Sequence, residues 1–119
     1  MPGLARSFRY AFSGLAYMLR TQRNFRIESG IGLAAIVLAA LMDFAAFEWA
    51  ILATVIALVL ILEGLNTSVE LAVDLASPSV HPKARAAKDV AAGMVLIASL
   101  GSVAVGVFLF GPRLLALLD

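Results

Sequence analysis

Residues 49–74 read WAILATVIALVLILEGLNTSVELAVD, an apolar run that continues into a segment with regularly spaced polar side chains. The polar positions are Glu63, Asn66, Glu70 and Asp74, at steps of three, four and four residues. At about 100° per residue they share one narrow sector of a helix, with Thr67 beside them. The stretch therefore predicts one long helix whose carboxylates lie at or just inside the edge of an apolar layer.

The composition indicates a small membrane protein. Of the 119 residues, 62% are hydrophobic and 14% are charged, whereas a soluble domain has roughly 45–50% apolar residues. A formal net charge of +1 gives no reason to expect a nucleic-acid partner. The absence of cysteine excludes disulfides, thiolate metal sites and cysteine nucleophiles. We therefore predict a single membrane domain over residues 1–119.

One amphipathic helix and three apolar spans are predicted along the chain. Residues 4–20 combine an apolar stripe with a basic face, which is typical of a helix lying in the membrane interface. A soluble helix packed on a core would show the same pattern. The spans cover residues of about 27–47, 48–76 and 83–111, the last stopping at Gly111-Pro112, with a turn at 21–24 and a loop at 77–82. The predicted fold class is all-α and integral to the membrane.

The basic residues predict an orientation. Five arginines precede the first span and three cations lie between the second and third spans, whereas the 43–48 connection has none. The positive-inside rule therefore places the N-terminus and the 77–89 loop in the cytoplasm, although Arg113 is an exception on the outer side. This orientation puts the acidic stripe and the Lys88-Asp89 pair on the side that holds ATP.

Carboxylates beside a lysine and an amide suit a divalent cation that carries phosphates. Magnesium takes oxygen ligands and is usually held by one or two carboxylates plus the nucleotide. The alternative is that these acids only pair with Arg85, Lys88 and the N-terminal arginines. Ionisable groups at membrane depth are nevertheless a functional hypothesis by default. The chain has neither a P-loop nor a dinucleotide-binding glycine motif, so no soluble nucleotide-binding fold is indicated.

This pattern resembles the signature of the prokaryotic diacylglycerol kinase family, which are small trimeric lipid kinases of the membrane. The matching segments are Glu63-x-x-Asn66-Thr67-x-x-Glu70-x-x-x-Asp74, Ser77-Pro-x-x-His81, Ala87-Lys88-Asp89-x-Ala-Ala92, Gly14-Leu15 and Asn24-Phe25-Arg26. The Asn-Phe-Arg-Ile and His-Pro-x-Ala wording is more similar to the undecaprenol kinase branch. The resemblance implies a bacterial inner-membrane homotrimer that uses ATP and Mg²⁺ to phosphorylate a lipid alcohol, with undecaprenol slightly ahead of diacylglycerol.

The resemblance also implies roles for the matching residues. Glu63 is expected to be the general base, and Asn66 is expected to position the reacting groups. Gln22 and Glu70 are the expected metal ligands. The expected nucleotide contacts are Tyr10, Gln22, Glu70, Asp74, Ser79, Val80, His81, Lys88 and Asp89. The expected lipid contacts are Arg6, Arg9, Glu63 and Ala92.

Gln22 departs from the family pattern, because the family usually carries a second metal-ligating glutamate there. Its carbonyl can still coordinate Mg²⁺, but without the charge. Three interpretations stay open: an active enzyme with a modified metal site, a weakened variant and a catalytically silent homologue. Glu28 is not expected to replace Gln22, because it lies six residues on and would point to a different face of a helix.

A non-catalytic role is also compatible with the sequence. The chain could be a membrane helix bundle whose carboxylates carry protons or ions. On physical grounds alone, Tyr10 is an interface anchor and His81 is a solvated cap, and only the resemblance assigns them to the nucleotide. Because three spans alone cannot easily enclose a dry site, we predict an oligomer with sites between subunits. That the oligomer is a trimer comes only from the resemblance.

Overall fold

The computed structural model describes residues 3–119 and is entirely helical. The helices are α1 (Leu4–Thr21), α2 (Arg23–Leu41), α3 (Ala46–Ala76) and α4 (Pro82–Ala116). No strand occurs among residues 3–119, so the predicted all-α class is confirmed. Helices α2, α3 and α4 are each long and apolar enough to cross a membrane.

Helix α1 leaves its apolar stripe uncovered. Within Leu4–Thr21 only Met18 is buried. The exposed members of the stripe are Leu4, Phe8, Phe12, Leu15 and Leu19. An uncovered apolar stripe beside arginines is what a helix in the membrane interface would present, and that location stays a prediction.

A single residue, Gln22, separates α1 from α2. Its backbone is extended, with φ −111° and ψ 107°, and its carbonyl accepts the first hydrogen bond of α2, from the Arg26 N–H at 3.2 Å. The predicted turn at residues 21–24 was therefore too long. Helix resumes at Arg23 because residues of a first turn need no intrahelical partner for their N–H groups.

Helices α2 and α3 run antiparallel through the short connection at residues 42–45. Asp43 adopts a left-handed backbone with φ 52°, which lets the chain reverse within this connection. Glu48 then stabilises the start of α3, because its Oε1 accepts a hydrogen bond from the Ala45 N–H at 2.9 Å. Further along, Gly32 packs closely on Ile56: a Cβ at Gly32 would lie 3.1 Å from Ile56 Cγ2.

The far end of the bundle, comprising residues 39–52 and 109–113, holds a buried apolar cluster and one arginine. Arg113 donates to both carboxylate oxygens of Glu48, at 2.5 and 2.7 Å, and to the Met42 carbonyl at 3.1 Å. Its guanidinium lies 4.6 Å from the centre of the Phe44 ring, which packs against Phe110. The buried apolar residues of this cluster are Ala39, Phe44, Leu52 and Leu109.

Helix α4 continues through Gly111-Pro112 to Ala116, so the prediction that it stops there was wrong. Pro112 cannot donate the backbone hydrogen bond to the Phe108 carbonyl, and near a helix end this loss affects few later turns. Arg113, the next residue, is anchored to Glu48 and to the Met42 carbonyl. That anchor holds the turn in which proline would otherwise end the helix.

Candidate functional site

The polar sector of α3 passes from buried to exposed along the helix. Glu63 and Thr67 are buried, with 5% and 4% of their surface exposed. Asp74 lies near the end of the helix, and 65% of its side chain is exposed. The stripe predicted from the sequence therefore runs from a buried position to a solvent-exposed one, as a site at the edge of a membrane would require.

Asn66 and Glu70 are linked on this stripe. The Asn66 Nδ2 donates to Glu70 Oε1 at 3.4 Å. The amide oxygen of Asn66 is buried and has no hydrogen-bond partner among residues 3–119. A buried acceptor without a partner costs free energy, so this oxygen is available to a ligand or cation that is not part of the chain.

Lys88 of α4 reaches the α3 stripe. Its Nζ lies 2.5 Å from Asp74 Oδ1, and the Lys88 side chain is 34% exposed. The sequence had predicted that Lys88 and the acidic stripe meet at one end of the bundle. The fold brings them together because α3 and α4 are antiparallel neighbours joined by the 77–81 loop.

A shallow pocket of about 190 Å³ lies beside this ion pair, under the 77–81 loop. The predicted nucleotide contacts that line it are Asp74, Ser79, Val80, His81 and Lys88. His81 has a structural task as well, because its Nδ1 accepts the Lys83 N–H at 3.1 Å and so caps α4. The loop is further held by a hydrogen bond from the Ser77 hydroxyl to the Ser79 carbonyl, at 3.0 Å.

Asp89 is turned to another partner. Its carboxylate pairs with Arg85 at 3.2 Å, one helical turn away, and both side chains are largely exposed. Asp89 does not line the pocket beside Asp74 and Lys88. The pairing of an acid with Arg85, which the sequence left open, therefore applies to Asp89.

The predicted contacts on α1 lie apart from the α3 stripe within this chain. Arg6, Arg9 and Tyr10 are exposed on α1, which packs chiefly against α2. One chain alone therefore does not bring these three residues to the stripe. Ala92 is exposed on α4, the helix that packs against α3.

Gln22, the predicted metal ligand, occupies the bend between α1 and α2. It is partly buried, and its Nε2 donates to the Thr21 hydroxyl at 3.1 Å. Within residues 3–119, no group of three or more His, Cys, Asp or Glu side chains is arranged to hold a metal ion. The unpaired amide oxygen of Asn66 and the Glu70 carboxylate, one turn apart on α3, nevertheless offer the oxygen ligands that a hard cation with few protein ligands takes.

Glu28 was considered from the sequence only as a replacement for Gln22, and its position facing α3 was not predicted. It lines a largely apolar cavity of about 430 Å³ between α2, α3 and α4, together with Val59, which lies one turn before Glu63. The close packing of Gly32 on Ile56 places Glu28, one turn before Gly32, on the α3 side of α2. A periodicity argument on α2 alone could not reveal this proximity, because it depends on the register between two helices.

This chain is similar in sequence to known proteins over most of its length. Residues 9–110 match the sequence profile of the family described as prokaryotic diacylglycerol kinase. The chain is 48% identical over 118 residues to a diacylglycerol kinase of Synechocystis sp., covering 98% of this chain and 67% of that protein. It is 37% identical over 109 residues to an undecaprenol kinase of Bacillus subtilis, covering 92% and 89%. A diacylglycerol kinase of Escherichia coli is 33% identical over 94 residues, covering 79% and 77%.

Proposed function

The chain belongs to the prokaryotic diacylglycerol kinase family and is a lipid kinase, and on that basis we propose that it transfers the γ-phosphoryl group of ATP to the hydroxyl of a membrane lipid alcohol, with Mg²⁺. The acceptor is undecaprenol or diacylglycerol, the two alcohols for which its relatives are named. The sequence of residues 24–27 and 81–84 favours undecaprenol, whereas the relative with 48% identity is named as a diacylglycerol kinase.

The burial gradient along α3 is the observation that carries the proposal. A lipid hydroxyl arrives from the apolar layer, and ATP arrives from water, so their reacting groups must meet at a boundary. Glu63 is buried and Asp74 is exposed, and about 16 Å of helix separates them. A nucleotide held near Asp74 and Lys88 could extend its phosphates along the stripe toward Glu63.

Glu63 would act as the general base. Its carboxylate takes the proton from the lipid hydroxyl as that oxygen bonds to the γ-phosphorus and the bond to the departing ADP breaks. The side chain is buried and lies on a rigid helix, so it can hold the alcohol in line with the phosphoryl group. Asn66 would orient the reacting oxygens from the next turn.

Lys88 would place positive charge against the nucleotide phosphates. Its present partner, Asp74, is largely exposed, so phosphate oxygens can compete for the ammonium group. The adjoining pocket, lined by Ser79, Val80 and His81, is the proposed seat of the rest of the nucleotide. Phosphoryl transfer depends mainly on alignment of the reacting groups and neutralisation of the phosphate charge, and these side chains would contribute to both.

Glu70 and the carbonyl oxygens of Asn66 and Gln22 are the residues that would hold Mg²⁺. When bound, the ion supplies charge that neutralises the phosphate oxygens. The family's second carboxylate is absent at Gln22, so the residues of this chain offer one negative charge fewer. We therefore propose that this enzyme needs more Mg²⁺ than a relative with glutamate at that position.

The remaining parts of the proposal concern location and assembly. The basic residues in α1 and the first turn of α2, and those in the 77–89 region, support an inner-membrane protein with its N-terminus and site in the cytoplasm. An oligomer is proposed because α1 carries Arg6, Arg9 and Tyr10 away from the stripe of its own chain. That the oligomer is a homotrimer rests only on the family resemblance. In an oligomer, α1 of one chain can approach the site of another.

The test is an assay of ATP consumption in mixed micelles with undecaprenol, with diacylglycerol and with no alcohol, each with and without Mg²⁺. We expect turnover only when both an alcohol and Mg²⁺ are present, and we expect Gln22→Glu to lower the Mg²⁺ concentration needed. Gln22→Ala is the matched control, since it removes the carbonyl ligand. If neither alcohol supports turnover, even with Gln22→Glu, the non-catalytic bundle becomes the better interpretation.

A further inference from the structure

The bend between α1 and α2 occurs at a residue type that does not by itself break a helix. Gln22 is neither glycine nor proline, yet its backbone is extended. In a continuous helix, the carbonyls of Leu19 and Arg20 would accept hydrogen bonds from the N–H groups of residues 23 and 24. The change of direction at Gln22 removes those donors, and orphaned carbonyls need other partners.

Arg26 supplies the missing donors. Its Nη1 donates to the Leu19 carbonyl at 2.9 Å and to the Arg20 carbonyl at 3.1 Å. A positive charge at the C-terminus of α1 is also favoured by the helix dipole. The same residue starts α2, because its own N–H bonds to the Gln22 carbonyl.

Burial alone would not set the direction of α1. Met18 and Phe25, on either side of the bend, are buried, but apolar contact is non-directional. Hydrogen bonds to two successive carbonyls constrain direction as well as distance. The two Arg26 bonds therefore favour one angle between the helices.

We infer that Arg26 is a positioning residue, which holds the bend at Gln22 and so determines where α1 carries Arg9 and Tyr10 and where Gln22 lies. The expected effect of Arg26 on kinetics rests on the proposed lipid kinase function, in which Gln22 and Tyr10 contact the nucleotide. The expected effect of Arg26 on the angle of the bend does not depend on that function. Arg26, in the Asn24-Phe25-Arg26 segment, would thus have a structural role without contacting a substrate.

The structural test uses the absence of cysteine in the chain. Spin labels are attached through Ser13→Cys on α1 and Ser68→Cys on α3, both exposed, and labelled chains are diluted with the cysteine-free parent. We expect Arg26→Ala to broaden the distribution of distances between the labels. Arg23→Ala is the matched control, because it removes the same charge from the first turn of α2. Arg26→Lys should restore part of the narrow distribution, since it keeps the charge and one donor group.

The kinetic test separates positioning from general stability. We expect Arg26→Ala to raise the KM for ATP about tenfold, the effect of about one charge-assisted hydrogen bond, with kcat nearly unchanged and with partial rescue by Arg26→Lys. Should Arg26→Ala fail to fold, Arg26→Lys carries the same comparison with Arg23→Ala.

An unchanged distance distribution for Arg26→Ala, or an equal broadening for Arg23→Ala, overturns the inference. A loss of kcat together with the unfolding temperature, at unchanged KM, also overturns it. If the parent turns over no lipid alcohol, the proposed function fails, while the distances still decide the role of Arg26.

Discussion

Arg113 and Glu48 form a two-pronged ion pair that ties the last turns of α4 to the first turn of α3. Lys88 and Asp74 tie the same two helices at the opposite end. The pairs differ in exposure, because the side chain of Glu48 is 11% exposed and that of Asp74 is 65% exposed. The Arg113–Glu48 pair therefore suits a fixed structural contact, called the clasp below. The Lys88–Asp74 pair suits a site whose lysine can change partners.

Removing the clasp should destabilise the bundle. Arg113→Met leaves the Glu48 carboxylate buried with only the Ala45 N–H as a partner, and an uncompensated buried charge is costly. We expect the unfolding temperature in detergent to fall by several degrees. Arg85→Met is the control: it removes the exposed pair with Asp89, and such pairs contribute little. Equal effects of the two variants would contradict the clasp.

Gly32 should resist replacement more than its neighbour Gly30. An alanine Cβ at residue 32 would lie 3.1 Å from Ile56 Cγ2, whereas nothing lies within 4 Å of a Cβ at residue 30. Alanine gains about 1 kcal/mol of helix propensity over glycine, so Gly30→Ala should stabilise the chain. We expect Gly32→Ala to lack that gain, because overpacking costs about 1–3 kcal/mol.

Thermal unfolding of the two glycine variants, alone and with Ile56→Ala, makes this comparison. The added Ile56→Ala change removes the atom that the new Cβ meets. Gly32→Ala should therefore be better tolerated in that background than in the parent. Independent, additive effects of the two substitutions would refute the close contact.

Glu63→Gln should abolish turnover without changing the assembly. The amide keeps the shape of the side chain but cannot accept the proton, and a general base contributes about 10²–10⁴-fold to rate. We expect a loss of kcat in that range at unchanged oligomer size. Ser68→Ala, on an exposed face of the same helix, is the control. A dissociated oligomer would assign Glu63 a structural role instead.

Lys88→Met should weaken the use of ATP. Loss of one charge that stabilises transferred phosphate typically costs about 10²-fold or more, and we expect kcat/KM for ATP to fall by about that factor. Arg23→Met removes an exposed positive charge from the start of α2, outside the pocket beside Asp74 and Lys88, and should change little. Comparable losses in both variants would indicate a general effect of charge on the membrane edge.

Several features of the candidate site could be predicted from the sequence alone. The α3 stripe was predictable, because its residues lie on one helix and their spacing places them on one face. The meeting of Lys88 with Asp74 was also predictable, since a short loop between two spans returns the chain to the same membrane edge. The departure at Gln22 was visible as a missing charge in a recognisable pattern.

Periodicity and composition act within one helix, so the amino-acid order was enough to define the helices, their apolar and polar faces and the end of the bundle that carries the acids. The register between helices emerged only from their packing, which places Glu28 in one cavity with Val59, Arg113 on Glu48, and Arg26 on the carbonyls of α1. Those pairs join different helices. The Arg26 bonds satisfy carbonyls left free where α1 ends at Thr21, and the Arg113 bonds hold α4 where it continues past Pro112. Local propensity carries no information on such contacts, because their free energy exists only once the helices have packed.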